Sequence, residues 1–408
     1  MNIWLISKYA SPPKYAKAPA RLFYLGKEMK ALGNKVLLIT SDSNHFSNFP
    51  KTNNIYNDET EDGVNIRWIK TKKYKKTASI KRIISWLDFE LKLFSMKIKQ
   101  LDRPDVIIVS SLSILSIVYG YYLKKKFNSF LVFEIRDIWP LTMTEEGGFS
   151  TRHPLVKFIG MIEKFGYKKS DLIVGTMPNL NAHVKNILGY DKPFFCSPMG
   201  FNPEKYAVDI REDSSLFEKY IQKNKIIVGY AGSIGITNAL ETFIDTIKLM
   251  RDNSNLYFLI AGSGDLKQNY EEQLNGQNNV SFLPRIDQDQ VKSFLSICDI
   301  LYLSTKDSKV WKFGQSMNKV VEYMLAGKPI VATYTGFPSM INEANCGLFV
   351  QSDKPEDLKN VFLYFANMSE EERLKIGENG RNWIYQYRTY DKLAKEYINT
   401  INNLMKNR

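Results

Sequence analysis

Short apolar runs alternate along most of the chain with longer stretches that place apolar residues at helical spacing. Residues 3–7 and 35–40 read as strands, and the helix between them, beginning near Ala18 and closing at Gly33, completes a βαβ unit. Further strands read at 106–110, 130–135 and 172–176, separated by segments of helical period, so the first half predicts a doubly wound parallel sheet. At 197–203, Ser-Pro-Met-Gly-Phe-Asn-Pro, turn-forming residues cluster and mark a domain boundary. A second cycle of the same kind runs through strands at 226–231, 257–261, 280–283, 300–303, 330–333 and 348–350. The pattern thus predicts an α/β protein of two tandem Rossmann-like domains, 1–200 and 201–384, followed by strongly helical sequence to Lys406. Open parallel sheets bind ligands beyond the carboxyl ends of their strands, so an active site is expected in a cleft that two such domains face.

One helical face stands outside this strand-and-helix alternation. Apolar residues at 80, 83, 84, 87, 91, 94 and 98 follow a basic run from Lys70 to Lys76. Two readings remain open. Either the face packs on the core beside a solvated basic neighbour, or the helix lies on an anionic lipid surface. Lys124 to Lys126 would add to the same field.

Composition narrows the class without changing the fold. The 408 residues suffice for two domains with their own cores, and 44% apolar with 13% aromatic residues is ordinary for a globular chain. The opening apolar run is too short for a signal peptide, and other apolar runs end well short of the roughly 20 residues a membrane helix requires. Cys196, Cys298 and Cys346 are scattered, as are His45, His153 and His183, so neither a disulfide framework nor a structural metal is expected. The setting that fits is cytoplasmic. Charge is asymmetric: residues 1–200 hold 31 Lys and Arg against 17 Asp and Glu, whereas 201–408 hold 25 against 26. An anionic partner of the first domain is therefore expected, and the lack of any RNA-binding or helix-turn-helix signature argues against nucleic acid.

Candidate chemistry concentrates at 313–331, where a glycine-bearing loop, a short amphipathic helix with a single acid and a buried strand follow without a break. Backbone N–H groups near Ser316 and Met317, at the positive end of the helix, would meet an anion, and Lys319 adds a full charge. Glu322, eight residues beyond Gly314, can accept from paired hydroxyls such as those of a ribose. Gly327 and Pro329 also make an ordinary helix stop. The run resembles the donor-nucleotide segment of the retaining GT-B glycosyltransferases, family four. It is most similar to the N-acetyl-L-fucosamine transferase-like subgroup with Phe-Gly-x-Ser-Pro-Asn-Lys-(x)2-Glu-Tyr-Met-(x)2-Gly-Lys-Pro, and Met317 stands where that pattern has proline.

The resemblance implies roles for residues at several strand ends. Gly232 and Ser233, in a loop with little side chain, would approach a diphosphate. The Arg and Lys that often follow this loop in family four are absent here, so Lys319, with Arg285 second, would meet the phosphate charge. Arg285 and Ile286 would hold the base through main-chain contacts. Of the family's two glutamates eight apart, Glu322 matches the second, and Gly314 occupies the first position. Backbone N–H groups of Gly314, Gln315 and Ser316 would then replace a side-chain contact, with Asn318 beside them in the motif. Phe-Glu-Ile-Arg-Asp-Ile-Trp-Pro at 133–140 resembles the subgroup's Arg-Asp-Leu-Trp-Pro, which assigns Arg136 to phosphate or leaving-group charge and Asp137 to a hydroxyl. Arg21 ends a proline-rich loop of the kind that borders the acceptor, with a phosphate within its reach. In proteins of this fold the last helix, here about 385–408, commonly returns to the first domain.

Together these features lead to an expected transfer of sugar from a nucleotide donor, expected to be UDP-linked, to a polyprenyl-diphosphate-linked glycan in bacterial surface polysaccharide assembly. The enzyme would work without metal or cofactor, peripherally at the inner face of the cell membrane. A nucleotide-sugar epimerase of GT-B architecture and a non-catalytic membrane-associated binding protein are the alternatives.

Overall fold

The computed structural model describes residues 1–16, 20–44, 50, 52–74, 79–207 and 214–408. Ala18 and Pro19 of the proline-rich loop, His45, and Lys75 and Lys76 of the basic run lie outside these residues. The chain divides into two compact units, the first formed by Met1–Asn202 with Arg388–Arg408 and the second by Pro203–Tyr387.

In the first unit eight strands form one sheet: β1 (Asn2–Ile6), β2 (Lys35–Ser41), β3 (Tyr56–Glu61), β4 (Val64–Ile69), β5 (Val106–Ser110), β6 (Phe130–Ile135), β7 (Leu172–Gly175) and β8 (Phe194–Cys196). Their order is β3-β4-β2-β1-β5-β6-β7-β8, and every pairing except β3 with β4 is parallel. Because β1 lies between β2 and β5, connections leave it in opposite directions, and loops after β1 and β5 diverge at the carboxyl edge.

Three of these strands escape the sequence pattern. β3 is a charged edge strand and β8 spans only three residues, so neither carries an apolar run. The β3–β4 hairpin did leave a signal: Asp62 and Gly63 both have positive φ, 46° and 73°, the geometry of a two-residue turn.

Helices cover both faces. On one, the helices Arg21–Ala31 and Tyr390–Lys406 pack on alternate residues of the strands, burying Leu393, Tyr397 and Ile401 at helical spacing. Tyr24 and Tyr390 stack across them with centroids 5.2 Å apart. On the other face the helices Ser116–Phe127 and Pro154–Lys169 come close to the sheet at glycines. A Cβ on Gly120 would lie 2.6 Å from Val109, and one on Gly166 would lie 2.5 Å from Phe133.

The helix Ile80–Ser95 settles one of the open readings. It buries Ser85, Phe89, Glu90 and Leu93, while Ile80, Ile83, Ile84, Leu87, Leu91 and Phe94 are exposed. The apolar stripe seen in the sequence is not its core-packed side.

Six strands make the second sheet, all parallel: β9 (Ile226–Ala231), β10 (Leu256–Ala261), β11 (Val280–Leu283), β12 (Ile300–Ser304), β13 (Ile330–Thr333) and β14 (Gly347–Val350). Their order, β11-β10-β9-β12-β13-β14, puts a switch point between β9 and β12. An aromatic cluster closes the core beneath it, with Phe243 and Tyr302 stacked at 4.0 Å. The helical end of the chain is two helices, Glu370–Tyr387 in this unit and Tyr390–Lys406 in the first.

Candidate functional site

At the carboxyl edge of the second sheet, β9 ends in Ala231 and the chain passes into Gly232 and Ser233. The helix Asn318–Ala326 is fastened to this strand end by one side chain. The Ala231 N–H donates to the Tyr323 hydroxyl at 2.9 Å, and that hydroxyl donates back to the Ala231 carbonyl at 3.4 Å. One turn earlier on the same face, Lys319 is brought against the loop. Its Nζ donates to the Tyr230 hydroxyl at 3.2 Å and to Asn238 Oδ1 at 3.3 Å, and it sits 4.4 Å from the centre of the Tyr230 ring. Gly232 makes room: a Cβ there would stand 2.5 Å from that Nζ.

Electrostatics follow from this packing. The Lys319 side chain as a whole is half-buried, but its ammonium is enclosed by the loop and the ring. Desolvation pushes its pKa down to about 8, partly opposed by Glu322. A cation poorly served by its own protein is one that gains from an anionic ligand.

The loop itself is built from backbone on backbone. Ile234 N–H donates to the Ser263 carbonyl at 2.9 Å, and Cβ atoms on Gly262 and Gly264 would lie 1.9 Å and 2.1 Å from the carbonyl oxygens of Gly232 and Ile234. Asn238 closes it, donating to Ser233 Oγ at 3.0 Å, while its carbonyl accepts from Ser304 Oγ at the end of β12.

At the start of the Asn318–Ala326 helix, the cap residue Met317 has extended backbone and supplies no side-chain cap. The Val320 N–H turns back to the Met317 carbonyl at 3.2 Å, and no side chain caps the amides of Asn318 and Lys319 ahead of it. Gly314 has φ of 97°, a conformation that favours glycine, and this turns the chain ahead of Ser316. Gln315 next to it is buried, and neither of its amide atoms has a hydrogen-bond partner among the described residues. Glu322 accepts from Gln288 Nε2 at 2.5 Å. Arg285 is exposed and Ile286 half-buried in the loop that follows β11. At the far end of the helix Gly327 has φ of 67°, and Arg381 donates to the last carbonyls, Leu325 at 3.0 Å and Ala326 at 2.8 Å. The helix-stop reading of Gly327 therefore holds.

In the first unit, Arg136 and Asp137 follow β6 and are half-buried. Burial, with Arg21 nearby, lowers the Arg136 pKa below its ordinary value, and burial raises that of Asp137. No ion pair joins these two neighbours among the described residues. The Arg136 N–H donates to Ser111 Oγ at 3.0 Å and its carbonyl accepts from Thr176 Oγ1 at 3.4 Å, fixing the main chain across three strand ends.

Arg21 departs from expectation. It is 1% exposed, pairs with the equally buried Glu134 at 2.9 Å and donates to the Ser197 carbonyl at 2.6 Å and the Pro198 carbonyl at 3.3 Å. Its guanidinium ties the first helix to β6 and the end of the 194–198 segment, and is not presented to a phosphate. The sequence reasoning took Arg21 from the loop it ends, but a charge just inside a helix start points wherever the packing sends it.

Other residues were missed. Tyr230, Asn238, Gln288 and Tyr323 orient the candidate groups of the second unit. Of these only Tyr323 left a signal, being four residues from Lys319. In the first unit Lys8, two residues beyond β1, is fully buried and donates to the Ser43 carbonyl at 2.6 Å and Ser41 Oγ at 3.3 Å. Desolvation brings it down to about 7, with Asp42 opposing. Nearby Glu90, which accepts from Ser113 at 2.9 Å and Ser116 at 2.6 Å, is raised by burial to about 7.

Comparison with known proteins bears on both units. Residues 212–383 match the family described as glycosyl transferases group 1. A glycosyltransferase of Methanocaldococcus jannaschii, itself named uncharacterized, is 24% identical over 208 residues, 49% of this chain and 51% of that protein; the match thus spans about half the relative's length. Among solved structures, sucrose-phosphate synthase from Thermosynechococcus elongatus superposes with a TM-score of 0.75 at 16% identity, covering 100% of each chain. Anabaena HepE in complex with UDP-glucose superposes at 0.65 with 14% identity, covering 99% of this chain and 100% of that one. The fold is GT-B, two Rossmann-like domains in tandem.

Proposed function

We propose that this protein is a retaining, metal-independent glycosyltransferase that takes a sugar from a UDP donor held on the second unit. The observation that carries the reading is the Lys319 ammonium, held against the glycine of the β9 loop at the start of a helix whose first turn has no side-chain cap. Two sources of positive potential meet there, which suits a diphosphate. Glu322 is assigned the ribose hydroxyls, with Gln288 orienting its carboxylate until ligand arrives. Gly232 and Ser233 line the diphosphate, Arg285 and Ile286 the base, and Gly314, Gln315, Ser316 and Asn318 the sugar and its nearest phosphate.

In a front-face transfer the departing diphosphate oxygen accepts the proton of the incoming hydroxyl, so no protein nucleophile is needed. The chain's contribution is to position the donor and to stabilise charge that develops on the leaving group. Lys319 serves the second purpose. In the first unit Arg136 is assigned to phosphate or leaving-group charge and Asp137 to a hydroxyl, both lying directly after β6 at the carboxyl edge of the sheet.

The acceptor is assigned to the basic first unit as a polyprenyl-diphosphate-linked glycan of a surface polysaccharide, in keeping with the subgroup the 313–331 run resembles. Calorimetric titration with UDP tests the donor half. Glu322→Ala is expected to raise the Kd about ten- to a hundredfold, the loss of charge-assisted hydrogen bonds worth about 1.5–3 kcal/mol. Unchanged affinity sinks the assignment. Incubating a UDP-sugar without acceptor separates transfer from epimerisation: an isomerised sugar nucleotide would favour the epimerase.

A further inference from the structure

The exposed stripe on the helix Ile80–Ser95 does not stand alone. Ile80, Ile84, Leu87, Leu91 and Phe94 recur at alternating steps of four and three, one continuous line, with Ile80 76% and Leu91 71% exposed. Phe94 meets Tyr122 of the Ser116–Phe127 helix at 5.8 Å between ring centres. On that helix Tyr121 meets Phe165 of Pro154–Lys169 at 5.3 Å. The third helix in turn exposes Phe158 and Met161, the latter by 63%. Side chains of this size on three neighbouring helices exceed the scattered apolar exposure usual for a soluble surface.

Charge identifies what covers them. Within these three helices ten lysine and arginine residues face three acids, of which Glu90 and Glu163 are buried. The cations stand at the apolar margin itself. Lys126 Nζ is 5.4 Å from the centre of the Tyr122 ring, and Lys125 and Lys169 lie 5.8 Å and 5.4 Å from that of Tyr121. Apolar side chains bordered by tyrosines and lysines match the layering of an anionic bilayer: acyl chain, interface, phosphate.

We infer that this three-helix face docks on an anionic membrane, its leucines and phenylalanines seated at the headgroup–acyl boundary and its lysines at lipid phosphates. The inference deepens the reading of a lipid-linked acceptor, since a docked first unit meets such an acceptor in two dimensions. It stands or falls separately from that reading.

Flotation with vesicles tests it, using phosphatidylcholine alone and phosphatidylcholine mixed with phosphatidylglycerol. The full-length protein is expected to float with the mixed vesicles and to remain below with the neutral ones. Leu87→Glu with Leu91→Glu should lower the partition coefficient at least about tenfold, and Lys125→Glu with Lys126→Glu about twentyfold or more, taking about fivefold for each lysine. All these side chains project from the fold, so melting temperature and UDP affinity should stay at wild-type values. Wild-type protein that ignores mixed vesicles, or variants that float as well as wild type, would overturn the proposal. So would a dimer in sedimentation that the leucine variant converts to monomer, because a second copy would then cover the face. Loss of UDP binding with flotation intact would remove the glycosyltransferase reading and leave the docking face standing.

Discussion

Lys319 carries a consequence that can be read by titration. With its pKa lowered to about 8, the ammonium is charged only at a cost inside the folded protein. Below pH 8 folded and unfolded chains both hold the proton and that cost is fully present. As pH rises from 8 toward 10.5 the unfolded chain keeps a proton the folded one has released, so this residue's contribution to stability improves. A bound diphosphate reverses the balance by restoring the charged form. UDP binding is therefore expected to take up about half a proton at pH 8 and nearly one by about pH 9. The enthalpy should accordingly depend on the ionisation heat of the buffer, and affinity should fall as pH rises through this range. Lys319→Met should abolish the uptake; an uptake that persists would place the titrating group elsewhere. The sequence alone placed Lys319 and Glu322 on one helix. That the lysine would be enclosed by Tyr230 depends on a tertiary contact between residues 89 apart, which no local pattern records.

Elements show the same division between what is local and what is not. Apolar runs located most of the parallel strands to within a residue or so, because a strand covered on both faces must be apolar throughout, whereas β4, interrupted by Asn65 and Arg67, carries no such run. The charged edge strand Tyr56–Glu61 obeys no such demand, and the helix Ile80–Ser95 shows that periodicity finds a face without telling which way it turns. The glycine loops after β9 and β10 separate two kinds of crowding. At Gly262 and Gly264 an added Cβ meets backbone carbonyls, which cannot yield, whereas at Gly232 it meets the tip of a lysine, which can. Gly264→Ala is thus expected to cost about 2 kcal/mol or more of stability, measured by denaturant unfolding. Gly232→Ala should leave stability nearly unchanged while weakening UDP binding, as Lys319 swings away. Equal stability losses in the two variants would show that Gly232 is needed by the fold and not by the lysine.

Across the whole molecule, the first unit depends on the last residues of the chain. The helix Tyr390–Lys406 packs on the first helix and shares one buried cluster with Leu22, Tyr24 and Leu25 of that helix and with the sheet. Truncation after Tyr387 should uncover that face and abolish or broadly lower the melting transition of the first unit in calorimetry, while the transition of the second survives. A truncated protein with both transitions intact would show that the helix is dispensable. The domain count and most strands could be read from sequence because each rests on neighbouring residues. The return of the helix came from family likeness, since its partners lie hundreds of positions earlier. On the ribosome the dependence inverts the usual order of events. Residues 203–387 leave the exit tunnel as a complete set and can fold at once, whereas the sheet made earlier must wait, one side covered only by its first helix, until Tyr390–Lys406 emerges. For that interval the nascent chain presents the kind of surface that chaperones hold.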